Sequence, residues 1–317
     1  MRVAVVGASG YVGAHLCRHL AGKGHEVLGI ARSLGKLPEG CPGATPRSWD
    51  LAGMQDLLAG FSPDAVVNLA AAGVHPGDRD PAALARVNAL LPGELVIAAS
   101  ATGARALVHI GSSAEYAPAA HDAQPQLLDE QAPLEQERAY GRTKALGSLL
   151  AAGLGRQMGL PVAVLRLFNV FGPGEPAHRL LPSLARALRE GREVALSPGS
   201  QIRDFIGIAR VCDGIRAAIE GLVRDPSRSG IYNLASSQPT SVAAFAREVA
   251  SVLGADEGLL KFGAIPMRPD DLPWVVGASD RMAQAFGWRY AQPLAESLRE
   301  ALGEAPIAMA SAVSGRV

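Results

Sequence analysis

Cysteine is scarce in this chain: Cys17, Cys41 and Cys212 are the only three among 317 residues. They lie far apart and show no CxxC spacing, so neither a disulfide framework nor a zinc site is indicated, and a reducing, cytoplasmic setting is expected. Net charge is also missing. Lysine plus arginine and aspartate plus glutamate each total 30, with no polybasic or acidic block, which argues against nucleic-acid and membrane-surface partners. An anionic ligand must then be met by individual arginines. Alanine-rich segments are broken by Gly, Arg and Glu, and none is expected to match the roughly 20 uninterrupted apolar residues of a membrane helix. The apolar run 3–6 follows Met1 and Arg2 directly and enters a glycine turn, so no secretory leader is expected. The seven histidines form no HxH or HExxH pattern. His75, His109, His121 and His178 read as solvated or hydrogen-bonded side chains, and no metal site is expected.

Short β-branched runs alternate with longer segments of helical period through the first half. Residues 2–6, 26–30, 65–69, 106–110 and 161–167 read as buried strands, and 11–22, 82–102 and 138–158 as helices. Strict alternation implies right-handed crossovers and a parallel sheet covered on both faces, which is a doubly wound α/β fold. The rhythm breaks at the loop Gly172-Pro173-Gly174-Glu175-Pro176. Beyond it a helix at 180–189, strands at 194–196 and 204–208 and a helix to about 223 are expected, then short helices between proline-rich loops. The expected organisation is a dinucleotide domain from 1–170 and about 204–230, a smaller α+β lobe from about 171–203 and 231–304, and a mobile tail at 305–317.

Gly7-Ala8-Ser9-Gly10-Tyr11-Val12-Gly13 lies between the first strand and the first helix. Glycines there permit a tight turn and close approach of a phosphate, while the helix start offers free N–H groups and a positive dipole end. Gly7, Ser9, Gly10, Tyr11, Val12 and Gly13 are therefore candidate pyrophosphate-binding residues. Dinucleotide sites selective for NAD usually place an acid some twenty residues later. Here the second strand runs into Ala31-Arg32-Ser33 without a carboxylate. A guanidinium beside a hydroxyl suits a 2′-phosphate, so NADP(H) is favoured, with NAD(H) still open.

Tyr140 and Lys144 stand four residues apart at the start of the third helix and share one helical face. A phenol of pKa about 10 is a poor acid or base at neutral pH, and a neighbouring ammonium moves it toward the working range. With these residues the wider pattern becomes readable. GASGYVG, Trp49-Asp50-Leu51, Asn68-Leu69-Ala70-Ala71, Val87-Asn88, Gly111-Ser112-Ser113-Ala114-Glu115-Tyr116, YGRTK, Arg166-Leu167-Phe168-Asn169-Val170-Phe171-Gly172-Pro173, Arg203-Asp204-Phe205, Tyr232-Asn233-Leu234 and Arg268-Pro269-Asp270-Asp271 occur in that order. The chain resembles an extended short-chain dehydrogenase/reductase of the NAD-dependent epimerase/dehydratase family, whose members act mostly on nucleotide-activated sugars, over about residues 1–300.

The resemblance implies a Rossmann-type sheet with a discontinuous substrate-binding lobe, and it assigns roles by position. Tyr140 is the proton donor or acceptor, Lys144 holds the nicotinamide ribose and tunes that tyrosine, and Ser112 bonds the reacting sugar oxygen, with Ser113 the neighbouring candidate. Asp50 and Leu51 fall near the adenine, although Asp50 alone would read as a helix N-cap. Leu69, Ala70, Ala71 and Asn88 join the cofactor set. Ser113, Asn169, Arg203 and Arg268 join the substrate set, the two arginines as a clasp on the diphosphate. Tyr116 packs beneath the sugar. A homodimer is implied through the helices 82–102 and 138–158. Departures are Ala117 for the usual glycine, and Gly207, Ala209 and Arg210 where relatives carry a ring side chain and two acids.

Three chemistries share the scaffold. Dehydratases carry an acid within two residues after the catalytic Ser or Thr, where this chain has Ser113 and Ala114. Glu115 comes one residue later, and on a strand that shift would turn it to the other face. Reduction and epimerisation use the same Ser-Tyr-Lys set. Arg32-Ser33 points to exchangeable NADPH, so reduction of a nucleotide-linked 4-keto-6-deoxy sugar is the leading expectation. A 4-epimerase is the alternative, and a non-catalytic dinucleotide-binding module the second alternative.

Overall fold

The computed structural model describes residues 1–75, 77, 80–118 and 126–304, so His121 and the tail at 305–317 lie outside the described residues. Thirteen strands run along it: β1 (Arg2–Val6), β2 (Glu26–Ile30), β3 (Gly43–Ala44), β4 (Ala65–Asn68), β5 (Ala106–Ser112), β6 (Val162–Leu167), β7 (Asn169–Phe171), β8 (Val194–Leu196), β9 (Ile202–Gly207), β10 (Gly230–Leu234), β11 (Pro239–Ser241), β12 (Leu260–Phe262) and β13 (Trp274–Val275). The helices are α1 (Tyr11–Gly22), α2 (Leu51–Phe61), α3 (Pro81–Ala83), α4 (Leu91–Ala101), α5 (Ala139–Met158), α6 (Leu180–Arg189), α7 (Ile208–Arg224), α8 (Val242–Leu253), α9 (Asp280–Phe286) and α10 (Leu294–Leu302).

Seven parallel strands form the main sheet in the order β10-β6-β5-β4-β1-β2-β3. The five strands expected from the sequence are all in it, and the doubly wound fold is as expected. Val3, Val5, Val67, Val108 and Leu165 face a core completed by α1 and α7. Ala4, Val6, Val66, Leu107 and Val164 face the opposite core, which α2, α4 and α5 complete. Runs apolar at every position are what a sheet buried on both sides requires. In α7, Ile208, Val211, Cys212, Ile215, Ala218, Ile219 and Leu222 are buried at helical spacing, a stripe that fixes the helix against the sheet. Each large aliphatic side chain in it contributes roughly 1.5–3 kcal/mol.

Strand order reverses between β1 and β4, so the loops after these two strands diverge and leave a crevice at the C-terminal edge. The glycine turn opens into it. A second sheet is built on β9, flanked by β11, β13 and β7, and a two-stranded one pairs β8 with β12. Phe171, Phe205 and Phe245 form the centre of the core under α6, α8 and α10, with the Phe205 and Phe245 rings stacked at 4.0 Å.

Particulars depart from the sequence expectation. The strand expected at 204–208 is β9, which starts at Ile202 and belongs to the second sheet, whereas β10 closes the edge of the main sheet. The helix expected at 82–102 contains a π-helical stretch, Leu84–Leu90. Pro92 has no N–H to give the Asn88 carbonyl, and α5 closes over that oxygen at Gly147, where an added Cβ would lie 1.9 Å from it. The helical run Pro81–Ala101 does have the length and hydropathy of a membrane span, contrary to expectation, but half of it is packed inside the molecule.

Candidate active site

The first turn fits a dinucleotide pyrophosphate. Gly7 holds φ +85°, and a Cβ on it would sit 2.8 Å from the Ala70 nitrogen; one on Gly13 would lie 2.3 Å from the Gly7 carbonyl oxygen. Helix α1 and the segment after β4 thereby close on the turn. Gly10 caps α1 with no side-chain hydrogen bond, leaving the first helical N–H groups to an anion. Ser9, Tyr11 and Val12 complete the turn, and Leu69, Ala70 and Ala71 form its opposite wall. Asn88 is fully buried and clasps Ala72, accepting from its N–H at 2.9 Å and donating to its carbonyl at 3.0 Å. It braces that wall. Arg32 and Ser33 are exposed just beyond β2. Asp50 is the N-cap of α2, accepting from the Gly53 N–H at 2.9 Å and the Ser48 hydroxyl at 2.7 Å, and the Gly53 bond holds its carboxyl below the usual range. The capping use read from the residue itself is thus the one its oxygens make; Leu51 opens the same helix.

Strand β5 ends at Ser112, where the chain turns into a short 3₁₀ segment, Ser113–Glu115. The Ser112 hydroxyl accepts from the Ala114 N–H at 3.1 Å, which leaves its own hydrogen to donate. Glu115 is fully buried and is not on a strand, so the facing argument made from alternation does not apply to it. One of its oxygens accepts from the Ser112 N–H and the Ser148 hydroxyl, both at 2.9 Å; the other accepts from Arg166 at 2.8 Å. Arg166 lies 4.6 Å above the Tyr116 ring, and the Tyr116 hydroxyl donates to Asn233 at 2.6 Å. Tyr116 is thus a packing residue beneath the turn, its phenol pushed up to about 12 by burial.

This hub couples the turn to α5 through Ser148. Gly141 lets the same helix approach, since a Cβ there would fall 2.0 Å from the Ala114 carbonyl oxygen. Helix α5 brings Tyr140, half-buried, and Lys144, buried, onto the face turned to β5. The Lys144 ammonium donates to the Ile110 carbonyl at 2.6 Å. Burial lowers its pKa to about 8, against the pull of Glu115, so it is still mainly a cation at neutral pH. His109, next on β5, is buried beside Asn68 at 3.2 Å and is held neutral by burial and by Lys144.

Leu167 pairs with Ser112 across β5 and β6, and Asn169 follows two residues later, so the two side chains belong to adjacent strand ends. Asn169, Arg203 and Arg268 line one cleft of about 410 Å³. The predicted substrate residues Asn169, Arg203 and Arg268 are therefore brought together, whereas Ser113, like Ser112, Tyr140 and Lys144, is outside that lining. Asp271 holds Arg203 as an ion pair and accepts from Gln201 at 3.1 Å. Arg179, His178 and Gln201 also line the cleft and were missed from the sequence. Arg179 gives no local signal beyond a charge ahead of an amphipathic helix. A groove of about 430 Å³ beside α6 carries none of the predicted residues. At the departures from the family pattern, Gly207 caps α7 and Arg210 pairs with Asp213 at 3.1 Å.

The model of the NAD dependent epimerase/dehydratase family matches residues 3–235. A dTDP-6-deoxy-L-talose 4-dehydrogenase (NAD(P)(+)) of Kitasatospora kifunensis is 31% identical over 97% of this chain and 97% of its own length. A UDP-glucose 4-epimerase of Rhizobium meliloti is 28% identical, covering 90% of this chain and 91% of its own. Among solved structures, MoeE5 in complex with UDP-glucuronic acid and NAD superposes with a TM-score of 0.80 at 26% identity, covering 96% of this chain and 98% of MoeE5. The UDP-glucose 4-epimerase of Thermus thermophilus with NAD gives 0.79 at 26% identity, with the same coverages. The glycine turn, the Ser-Tyr-Lys residues at β5 and α5 and these matches agree: the chain belongs to the NAD-dependent epimerase/dehydratase family.

Proposed function

We propose that this protein is an NADPH-dependent reductase of a nucleotide-linked 4-keto-6-deoxy sugar, acting through Ser112, Tyr140 and Lys144. The observation that carries the reading is the cleft that gathers Asn169, Arg203 and Arg268, with Asn169 two residues beyond Leu167, the β6 partner of Ser112. A net-neutral chain has no general attraction for anions, so cations collected in one cleft are what a sugar diphosphate needs. Gly7, Gly10, Gly13 and the start of α1 hold the dinucleotide pyrophosphate, and Arg32 with Ser33 receives the 2′-phosphate. When bound, the nicotinamide supplies the hydride. Ser112 donates its free hydrogen to the sugar oxygen as charge develops there, and Tyr140 passes the proton to it. Lys144 is cationic below about pH 8 and favours the ionised phenol.

The talose dehydrogenase relative supports the sugar and the reaction, since oxidation at C4 of a 6-deoxy sugar is this reduction reversed. The UDP-glucose 4-epimerase relatives and the NAD-bound neighbours favour a second reading, a 4-epimerase that retains NAD. Initial rates with NADPH and NADH separate the two. The wild type should prefer NADPH, and Arg32→Asp should shift the ratio by about ten- to a hundredfold, as loss of a charged hydrogen bond implies. NAD(H) retained through gel filtration, with no effect of Arg32→Asp, would favour the epimerase.

The assembly we propose is a homodimer. Leu146, Leu149 and Leu150 of α5 are exposed, as is Leu90 at the end of the π-helical stretch that packs on α5, and a second copy of these helices would cover them. Sedimentation should give a dimer at micromolar concentration, which Leu149→Glu dissociates; a wild-type monomer at that concentration would refute it.

A further inference from the structure

One wall of the cleft carries an acceptor without a partner, and the helix start behind the adjoining loop carries a donor without one, among the described residues. Glu175 is 5% exposed; one carboxylate oxygen accepts from the Arg179 guanidinium at 3.0 Å, and the other is buried without a hydrogen bond among the described residues. Burial raises the Glu175 carboxyl, with Arg179 and the Gly172 amide pulling the other way. The Tyr11 hydroxyl is likewise buried without a partner among those residues. It lies against the same loop, since a Cβ on Gly172 would be 3.0 Å from its oxygen. The Glu175 N–H donates to the Gly172 carbonyl at 3.3 Å, so Glu175 and the glycine against which Tyr11 packs belong to one tight turn. Tyr11 feels this: burial raises its phenol most, and the charge of Glu175 comes next.

The three groups join two sites. Tyr11 is the first residue of α1, directly after Gly10 of the pyrophosphate turn. Glu175 and Arg179 line the cleft with Asn169, Arg203 and Arg268. Arg179 keeps 40% of its side chain exposed, so a dianionic diphosphate in the cleft can draw its fork away from Glu175. A carboxylate deprived of its cation and already short of one hydrogen bond needs a donor, and the Tyr11 hydroxyl is a neighbouring one with none to serve.

We propose that Arg179 is a third diphosphate-binding arginine that substrate pulls off Glu175, and that Glu175 then accepts the Tyr11 hydroxyl, so that diphosphate and dinucleotide bind cooperatively. This deepens, and rests on, the reading of the cleft as a nucleotide-sugar site. The diphosphate gains a ligand, and the new bond braces the first turn of α1 against the loop that closes the cleft. Reciprocity then requires each ligand to tighten the other by the same factor.

Calorimetry on the full chain tests it, with uridine and thymidine diphosphates as probes, in the absence and presence of saturating NADP⁺ or NAD⁺. Cofactor should tighten the diphosphate by about five- to tenfold in the wild type. Arg179→Gln should weaken the diphosphate about tenfold and remove the coupling. Tyr11→Phe should weaken the cofactor-free diphosphate several-fold, because Glu175 then has no donor to turn to when Arg179 leaves, and should lose the coupling. Glu175→Gln should bind diphosphate more tightly without cofactor, because Arg179 is no longer held; a merely structural pair would give equal or weaker binding. Unchanged affinity in Arg179→Gln, or full coupling in Tyr11→Phe, overturns the proposal. If Arg203→Gln weakens the diphosphate and Arg179→Gln does not, the nucleotide-sugar reading survives and this device falls. If the wild type binds neither diphosphate, both fall.

Discussion

The turn after β5 and the cleft over β7 and β9 both depend on arginine–carboxylate pairs, but the pairs are built differently. Under the turn, Arg166 and Glu115 are 1% and 0% exposed, and both Glu115 oxygens are used, by Ser112, Ser148 and Arg166. In the cleft, Arg179 and Asp271 remain partly open to solvent, and Glu175 has an oxygen to spare. A buried pair satisfied on every side holds one geometry, whereas a cation shared between an acid and open space can be taken over by a ligand. The proposed chemistry needs the first property, because it requires Ser112, Tyr140 and Lys144 at fixed separation. Recognition of a flexible diphosphate profits from the second.

Substitutions can break that contrast. The largest effect is expected at Tyr140: changing it to Phe removes only the transferable proton, so turnover should fall by about 10²–10⁴ with fold and cofactor binding intact. Turnover near normal at neutral pH would remove Tyr140 from the mechanism. A paired comparison is sharper. Glu115→Ala strands the Arg166 charge in the core and should cost about 3–5 kcal/mol in denaturant unfolding. Arg203→Gln, whose partner Asp271 stays partly open to solvent and keeps a hydrogen bond from Gln201, should cost less, about 1–2 kcal/mol, and instead raise KM. Equal losses of stability would mean that the two regions are not built differently.

Legibility in the sequence follows the same division. The glycine turn, the five main strands and the YxxxK pair are readable because each rests on local rules: positive φ and close approach for Gly7 and Gly13, a doubly buried strand for 106–110, helical spacing for Tyr140 and Lys144. What escapes is fixed by distant partners. Strand alternation would turn Glu115 away, but the chain has already turned there, and Arg166 and Ser148, far away in sequence, decide where it points. The π-helical stretch depends on Pro92 together with the approach of α5. Arg179 becomes a cleft residue only through the fold of the loop that begins at Gly172.

The most direct test follows absorbance of the reduced cofactor while the purified protein meets a nucleotide-linked 4-keto-6-deoxy sugar and, separately, saturated nucleotide hexoses. Our account predicts one NADPH consumed per keto-sugar reduced and no interconversion of the saturated sugars. Interconversion of the saturated sugars with no net change in cofactor would contradict it and make the protein an epimerase.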